Sequence, residues 1–121
     1  MPKAVQIEEK FALIRECWRP KVAARLIGQE VKLVKVEGVF PWHVHDAEDE
    51  MFLVWKGRFR VEFRDHVIDM GPGEIVVVPR GTEHRTAANE MAEVLIFEPA
   101  DVRNTGNVFD AEFTAPQGVE I

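Results

Sequence analysis

Along the chain, the spacing of hydrophobic and polar positions changes period once, near residue 20. Before it, Ile7, Phe11, Ile14 and Trp18 recur at spacings of four, three and four, which stacks them on one helical face. Glu8, Glu9, Arg15 and Glu16 fall mostly elsewhere, and Pro20 ends the pattern. This predicts a short helix over about 6–17. From about residue 21 the segments VAARLIG, EVKLVKVEG, EMFLVWKG, RFRVEFRD, HVIDMG, EIVVVP and AEVLIFEP are short and rich in Val, Ile and Phe. Gly, Pro, Asp and Asn separate them at short intervals. Phe59, Val61 and Phe63 alternate with Arg58, Arg60, Glu62 and Arg64, the signature of a half-buried strand. Many short strands with regular turns predict an all-β sandwich or barrel, with the helix lying against it or against a partner subunit. From Asp101 to Ile121 the periodicity is weak, and this tail is expected to run over the surface or across a subunit boundary.

The 121 residues suit one domain with a single core of modest size. The expected layout is a helix over about 6–17, a barrel over about 21–98 and an extension over 99–121. An apolar fraction of 46% and a charged fraction of 30% describe an ordinary globular chain. No apolar run approaches a membrane span, and the opening MPKAVQIEEK has no apolar stretch of the signal-peptide kind, so a cytoplasmic protein is expected. Cys17 is the sole cysteine and makes neither an internal disulfide nor a thiolate cluster; a packed face suits it. The net charge of −6 argues against nucleic acid as a partner. Arg58, Arg60 and Arg64 read as the solvated face of a strand.

Three of the four histidines fall in two compact segments, GVFPWHVHDAEDEMFLVWKG (38–57) and GEIVVVPRGTEH (73–84). Residues two apart in a strand share a side, so His43 and His45 project two imidazoles onto one face. A carboxylate from Asp46, Glu48, Asp49 or Glu50 would complete the set. On a straight strand Asp49 would share the histidine face. A turn at DAED would instead bring Glu50 in from the next strand, alongside Phe52 and Val54. Glu50 is therefore preferred, with Glu48 and Asp49 as alternatives. His84 follows the turn Pro79-Arg80-Gly81 and brings a third imidazole from a separate strand. Imidazole and carboxylate donors suit Fe, Mn, Ni, Cu or Zn, and four of them leave positions open in an octahedral shell, as catalysis or ligand capture requires. His66 reads as a solvated hairpin-tip residue. Phe40, Phe52 and Trp55 could line a pocket, although each by itself reads first as core; Phe52 and Arg80 are the candidate pocket residues, and Arg80 could equally pair with Glu74 or Glu83. Gly57, Gly73 and Gly81 suit turns.

These two segments resemble the paired motifs of the cupins. The first family motif runs from a glycine to an H-x-H pair, a glutamate and a closing glycine. Gly38, His43, His45, Glu50 and Gly57 match it, with the gap from Gly38 to His43 one residue short. The second runs from a glycine through P-x-G to a histidine and an asparagine. Gly73, Pro79, Gly81 and His84 match, but position 88 is Ala88 and Asn89 comes one place late. The segment WHVHDAEDEMFLVWKG and the later NTGN are similar to small single-domain members of the RmlC-like cupin superfamily often labelled mannose-6-phosphate isomerase-like. The resemblance implies a double-stranded β-helix, or jelly-roll barrel. It also implies one divalent transition metal (Fe, Mn, Ni or Zn) on His43, His45, Glu50 and His84, and a small-molecule ligand or substrate.

Cupins host many reactions, so the fold does not select one. The chain has no tyrosine, which argues against the metal-free His/Tyr scheme of cupin-type sugar epimerases. Three readings remain: an oxygenase, a Lewis-acid isomerase or lyase, and a binding module without turnover. A phosphosugar substrate would need a cationic clamp, for which Arg80, Arg85 and Lys35 are the candidates. An edge strand and an apolar helix face suggest a homodimer.

Overall fold

The computed structural model describes residues 1–121. One short helix, α1 (Ile7–Ala12), precedes seven strands: β1 (Lys21–Leu26), β2 (Gln29–Val39), β3 (Glu50–Lys56), β4 (Phe59–Glu62), β5 (Val67–Met70), β6 (Ile75–Val78) and β7 (Arg85–Pro99). All pairings between them are antiparallel. The strand order is β1-β2-β7-β3-β6, with β4 joining β7 to β5. The first part of β7 pairs with β4, through Arg60↔Ala87 and Val61↔Thr86; its second part pairs with β3, through Leu53↔Leu95 and Val54↔Val94. One long strand thus serves both walls and closes them into a jelly-roll barrel. No helix is long and apolar enough to cross a membrane.

Period-two alternation builds the interior. Glu50, Phe52 and Val54 point inward from β3, and Met51 and Leu53 outward. Val34 and Val36 on β2 and Val94 and Ile96 on β7 meet them, with Phe59 and Val61 of β4 filling the other side. Arg58, Arg60 and Arg64 do lie outside the core, paired with Asp69, Glu62 and Glu83.

The helix is shorter than its periodicity predicts. Phe11 is buried against Leu33, and Ile14 joins them from beyond the helix end. Past Ala12 the Leu13 and Ile14 amides close the last turn on Lys10 and Phe11, and from there the chain bonds to β2. Lys35 Nζ donates to the Ile14 carbonyl at 2.8 Å, and the Trp18 amide donates to the Lys35 carbonyl at 2.8 Å. Trp18, in the left-handed region at φ 65°, therefore leaves the helical face and packs on Phe40, ring centroids 4.9 Å apart. The half-buried Cys17 lies in this bridging segment.

The tail also departs from expectation. Val102, Thr105 and Ala115 are buried. Asn104 holds the loop closed, donating to the Phe113 carbonyl at 2.9 Å and accepting from the Ala115 amide at 2.9 Å. Phe113 then packs on Phe40 and Trp18. Side-chain hydrogen bonds, not periodicity, order this segment, and it forms part of the barrel mouth.

Candidate metal centre

His43 and His84 face each other across a two-way backbone bridge. The His43 amide donates to the His84 carbonyl at 2.9 Å, and the return bond is 3.0 Å. Directly opposed residues of an antiparallel pair project to one side, so the two rings lie 4.5 Å apart. His45, two residues on, joins the same face, and its carbonyl accepts the Gly81 amide at 2.9 Å. The polar segment after it turns, and Asp49 Oδ1 accepts the Arg80 amide at 2.9 Å. Glu50 opens β3 on the inward side, its Oε1 at 3.4 Å from both His45 Nε2 and His84 Nε2. One donor atom from each of His43, His45, Glu50 and His84 falls within 4.8 Å of every other, and all four residues are buried.

Second partners set the tautomers. His43 Nδ1 lies 2.8 Å from the Pro41 carbonyl and His84 Nδ1 2.9 Å from that of Thr82. A carbonyl only accepts, so each Nδ1 carries the proton and each Nε2 presents a lone pair. His84 Nε2, His45 Nε2 and Glu50 Oε1 are buried without hydrogen-bond partners. Each orphaned buried polar atom costs on the order of 1–3 kcal/mol, and a cation between them removes that cost. The donor set fits a divalent transition ion of the Fe, Mn, Ni or Zn kind.

The electrostatics agree. Burial, reinforced by His84, lowers His43 from 6.5 to about 4, with Pro41 and Glu50 only partly opposing. Burial pushes Glu50 up, but a proton on the facing His45 or His84 outweighs it and holds the carboxyl below the ordinary range, the place of that proton being the one an ion would take. The His43 shift gives a pH dependence in metal-free protein. Unfolded, the imidazole takes its proton near 6.5; folded, only near 4. Between those values the unfolded chain binds more protons, so stability falls as pH drops through that window, by up to about 3 kcal/mol from this group. Urea melts of the metal-free chain at pH 7, 5 and 4 check it, and a flat profile would contradict the buried neutral imidazole.

Beside the four donors lies a small, partly open cavity with His43 and Glu50 in its wall. Phe52 lines it, with Phe40, Phe59 and Trp18. Arg80 does not: it is exposed on the outer surface, and neither Glu74 nor Glu83 pairs with it, since Glu74 accepts from the Gly71 amide and Glu83 from Arg64. The three candidate clamp cations do not converge. Lys35 holds the Ile14 carbonyl, and Arg85 pairs with Glu62 while lying over Trp42. Trp55 is partly exposed, its indole on Glu8. His66 sits at the β4–β5 turn, stacked on Phe63.

Two features escaped the sequence reading. Glu98, inward on β7, lines the cavity, and its Oε1 accepts from the buried Lys32 at 2.7 Å. Burial and the Glu50 carboxylate push its carboxyl well above the usual range, against Lys32. The inward parity of Glu30, Lys32, Val34 and Val36 on β2 carried that signal. Asn107 is the second: its Oδ1 accepts the Val44 amide at 2.8 Å and its backbone N–H donates to the Val44 carbonyl at 3.0 Å, clamping the residue between His43 and His45.

A jelly-roll barrel with a histidine-carboxylate cluster beside an apolar cavity defines a class, and the comparisons give it a family. Residues 30–114 match the cupin domain, and the chain belongs to that family. A cupin-2 domain protein from Shewanella frigidimarina is 41% identical with a TM-score of 0.78, over 78% of this chain and 93% of that one. The protein NMB1881 from Neisseria meningitidis is 27% identical with a TM-score of 0.74, over 81% and 100%. YdbB of Bacillus subtilis is 33% identical over 57 residues, 46% of this chain and 50% of that protein, so the match spans about half the length of this curated relative.

Proposed function

We propose that this cupin holds one divalent transition metal on His43, His45, Glu50 and His84 and uses it on a small organic molecule taken into the adjoining cavity. The observation that carries this is the set of unpartnered buried donor atoms converging on one point. When bound, such an ion supplies Lewis acidity, and a redox couple if it is iron. The chain's own residues orient the imidazoles through Pro41 and Thr82, exclude water with Phe40, Phe52 and Phe59, and leave one further carboxyl, Glu98, in the wall. A carboxyl beyond the ligand set favours chemistry on the captured molecule over capture alone. Elemental analysis of the protein as isolated tests the proposal. About one equivalent of Fe, Mn, Ni or Zn is expected, and iron together with oxygen consumption would single out an oxygenase. No metal as isolated and none after loading would defeat it. The single free thiol fits a reducing compartment such as the cytoplasm.

We also infer a homodimer. Met51, Leu53, Ile75, Val77 and Phe97 share the outward face of β3, β6 and β7 by register. Ile75 and Val77, on the edge strand β6, are 58% and 53% exposed. A contiguous apolar face on an edge strand marks an association surface, and a second copy covers it symmetrically. Val77→Glu is expected to convert dimer to monomer in light scattering coupled to gel filtration, with the barrel's circular dichroism unchanged. A wild-type monomer at high micromolar concentration would contradict the dimer.

A further inference from the structure

Glu98 is the carboxyl in the cavity wall that the metal-ligand set does not use. It follows Val94 and Ile96 at the inward parity of β7 and is 3% exposed. Glu30 stands directly across from it on β2, an arrangement that like charges disfavour. Lys32 resolves the conflict: its ammonium donates to Glu98 Oε1 at 2.7 Å and lies 3.7 Å from Glu30, which is held in turn by Arg25 at 3.0 Å. Glu98 is thus pinned through one oxygen from behind. Its other oxygen, Oε2, is buried and receives no hydrogen bond from any donor of the protein, with the Glu50 carboxyl as the polar side chain close to the Glu98 carboxyl.

The surroundings define what that oxygen can meet. Val34, Val36, Phe40, Phe52, Phe59 and Ile96 make most of the wall, and no Lys or Arg lines it. A phosphate ester would set its charge beside the Glu98 carboxyl with no Lys or Arg in the wall to meet it, a costly burial that only the ion itself could offset. A hydroxyl both donates and accepts, so it satisfies Oε2 whether or not that oxygen carries a proton.

We infer that Glu98 determines the specificity of this cavity, seating the hydroxyl of a small uncharged organic molecule whose apolar body packs against Phe40, Phe52 and Phe59. The inference rests on reading the cavity as the ligand chamber of the metal centre. It turns the substrate class away from phosphosugars and towards neutral hydroxylated compounds.

Fluorine NMR with matched probes tests it. 4-Fluorophenol offers the hydroxyl, 4-fluoroanisole removes only its proton, and 4-fluorophenyl phosphate adds charge. Metal-free protein is used first, so that phenol coordination to an ion does not mimic the effect, and zinc-loaded protein second. In the metal-free chain 4-fluorophenol is expected to bind about tenfold tighter than 4-fluoroanisole, equivalent to about 1.4 kcal/mol, and the phosphate ester more weakly than either. K32M/E98L replaces the buried ion pair with apolar groups, a change such pairs tolerate, and is expected to abolish the preference. E98Q, whose amide also donates and accepts, is expected to keep part of it. Should the double variant not fold, the wild-type chain with carbon-13-labelled glutamate carboxyls decides. The Glu98 resonance, identified by its loss in E98Q, moves with 4-fluorophenol and stays with 4-fluoroanisole. Equal affinities for the two probes, an unchanged preference in K32M/E98L, equal shifts of the Glu98 resonance or tighter binding of the phosphate ester each overturn the inference. Zinc stoichiometry measured on the same samples reports the metal reading separately. A chain that takes no zinc yet loses its phenol preference in K32M/E98L leaves Glu98 in place while the metal reading falls.

Discussion

Replacing His84 with alanine is expected to lower zinc affinity by about 100-fold or more and to cancel the protection from heat that the ion confers. Loss of an outer hydrogen-bond partner alone costs on the order of 10- to 100-fold, and here a donor itself is lost, one 3.4 Å from Glu50. In wild type, zinc at about 100 times its dissociation constant should add about 2.7 kcal/mol, raising the melting temperature by about 10 °C for a chain this size. His45→Ala should behave alike. His66→Ala, at an exposed turn, should leave both readouts unchanged. Glu50→Gln and Asp49→Asn separate the two candidate carboxylates: the first should weaken zinc, whereas the second touches a side chain that accepts the Arg80 amide and should not. Calorimetric titration measures the affinities. If His84→Ala binds zinc as tightly as wild type, the four-residue site is wrong.

The pairing of His43 with His45 was legible because strand parity is local: two residues at spacing two share a face in any extended segment. The approach of His84 was legible through the Pro79-Arg80-Gly81 turn before it and the family motif together, since no local rule alone says which strand ends meet. Glu50 stood or fell on a turn, and the structure has one, with Asp49 facing the Arg80 amide instead of the imidazoles. Glu98 was readable in principle. In β2, however, Val31 and Leu33 are as apolar as Val34 and Val36, so alternation alone does not say that Glu30 and Lys32 face inward. A buried ion pair looks like a solvated face until the partner strand is in place. Trp18 was misread for a related reason. Four apolar residues at helical spacing describe a helix only while its hydrogen bonds have no better partner, and β2 offered one from Ile14 onward. Arg80 was misplaced because a turn beside a ligand can point either way, and here it points out. The largest omission was the 104–115 loop. It holds together through Asn104, Thr105, Asn107 and Thr114 side chains bonding to backbone and to each other, which leaves no period to detect.

That loop sets the second large expectation: Gly106→Ala should destabilise the chain by about 3 kcal/mol or more and weaken zinc binding with it. Gly106 has φ +57°, where any other residue carries a penalty of about 1–2 kcal/mol. A Cβ there would also overlap the Val44 carbonyl oxygen, and would stand 2.9 Å from the Val44 carbonyl carbon and 3.2 Å from His43 Cδ2. Most of those atoms are backbone, so no rotamer change relieves the overlap, and either the loop or the H-x-H segment must move. Moving the loop breaks both Asn107 bonds to Val44, at 2.8 and 3.0 Å. Moving the segment displaces His43 and His45 from the point on which the four donors converge. Gly28→Ala isolates the backbone penalty, because Gly28 has φ +73° but open space around its missing Cβ. That control should cost about 1 kcal/mol and leave zinc affinity untouched. Urea melts and zinc titrations of the two variants side by side make the comparison. Should Gly106→Ala match Gly28→Ala in both, the loop does not hold the histidine pair in place, and the rigidity of the site must come from the His43–His84 bridge alone.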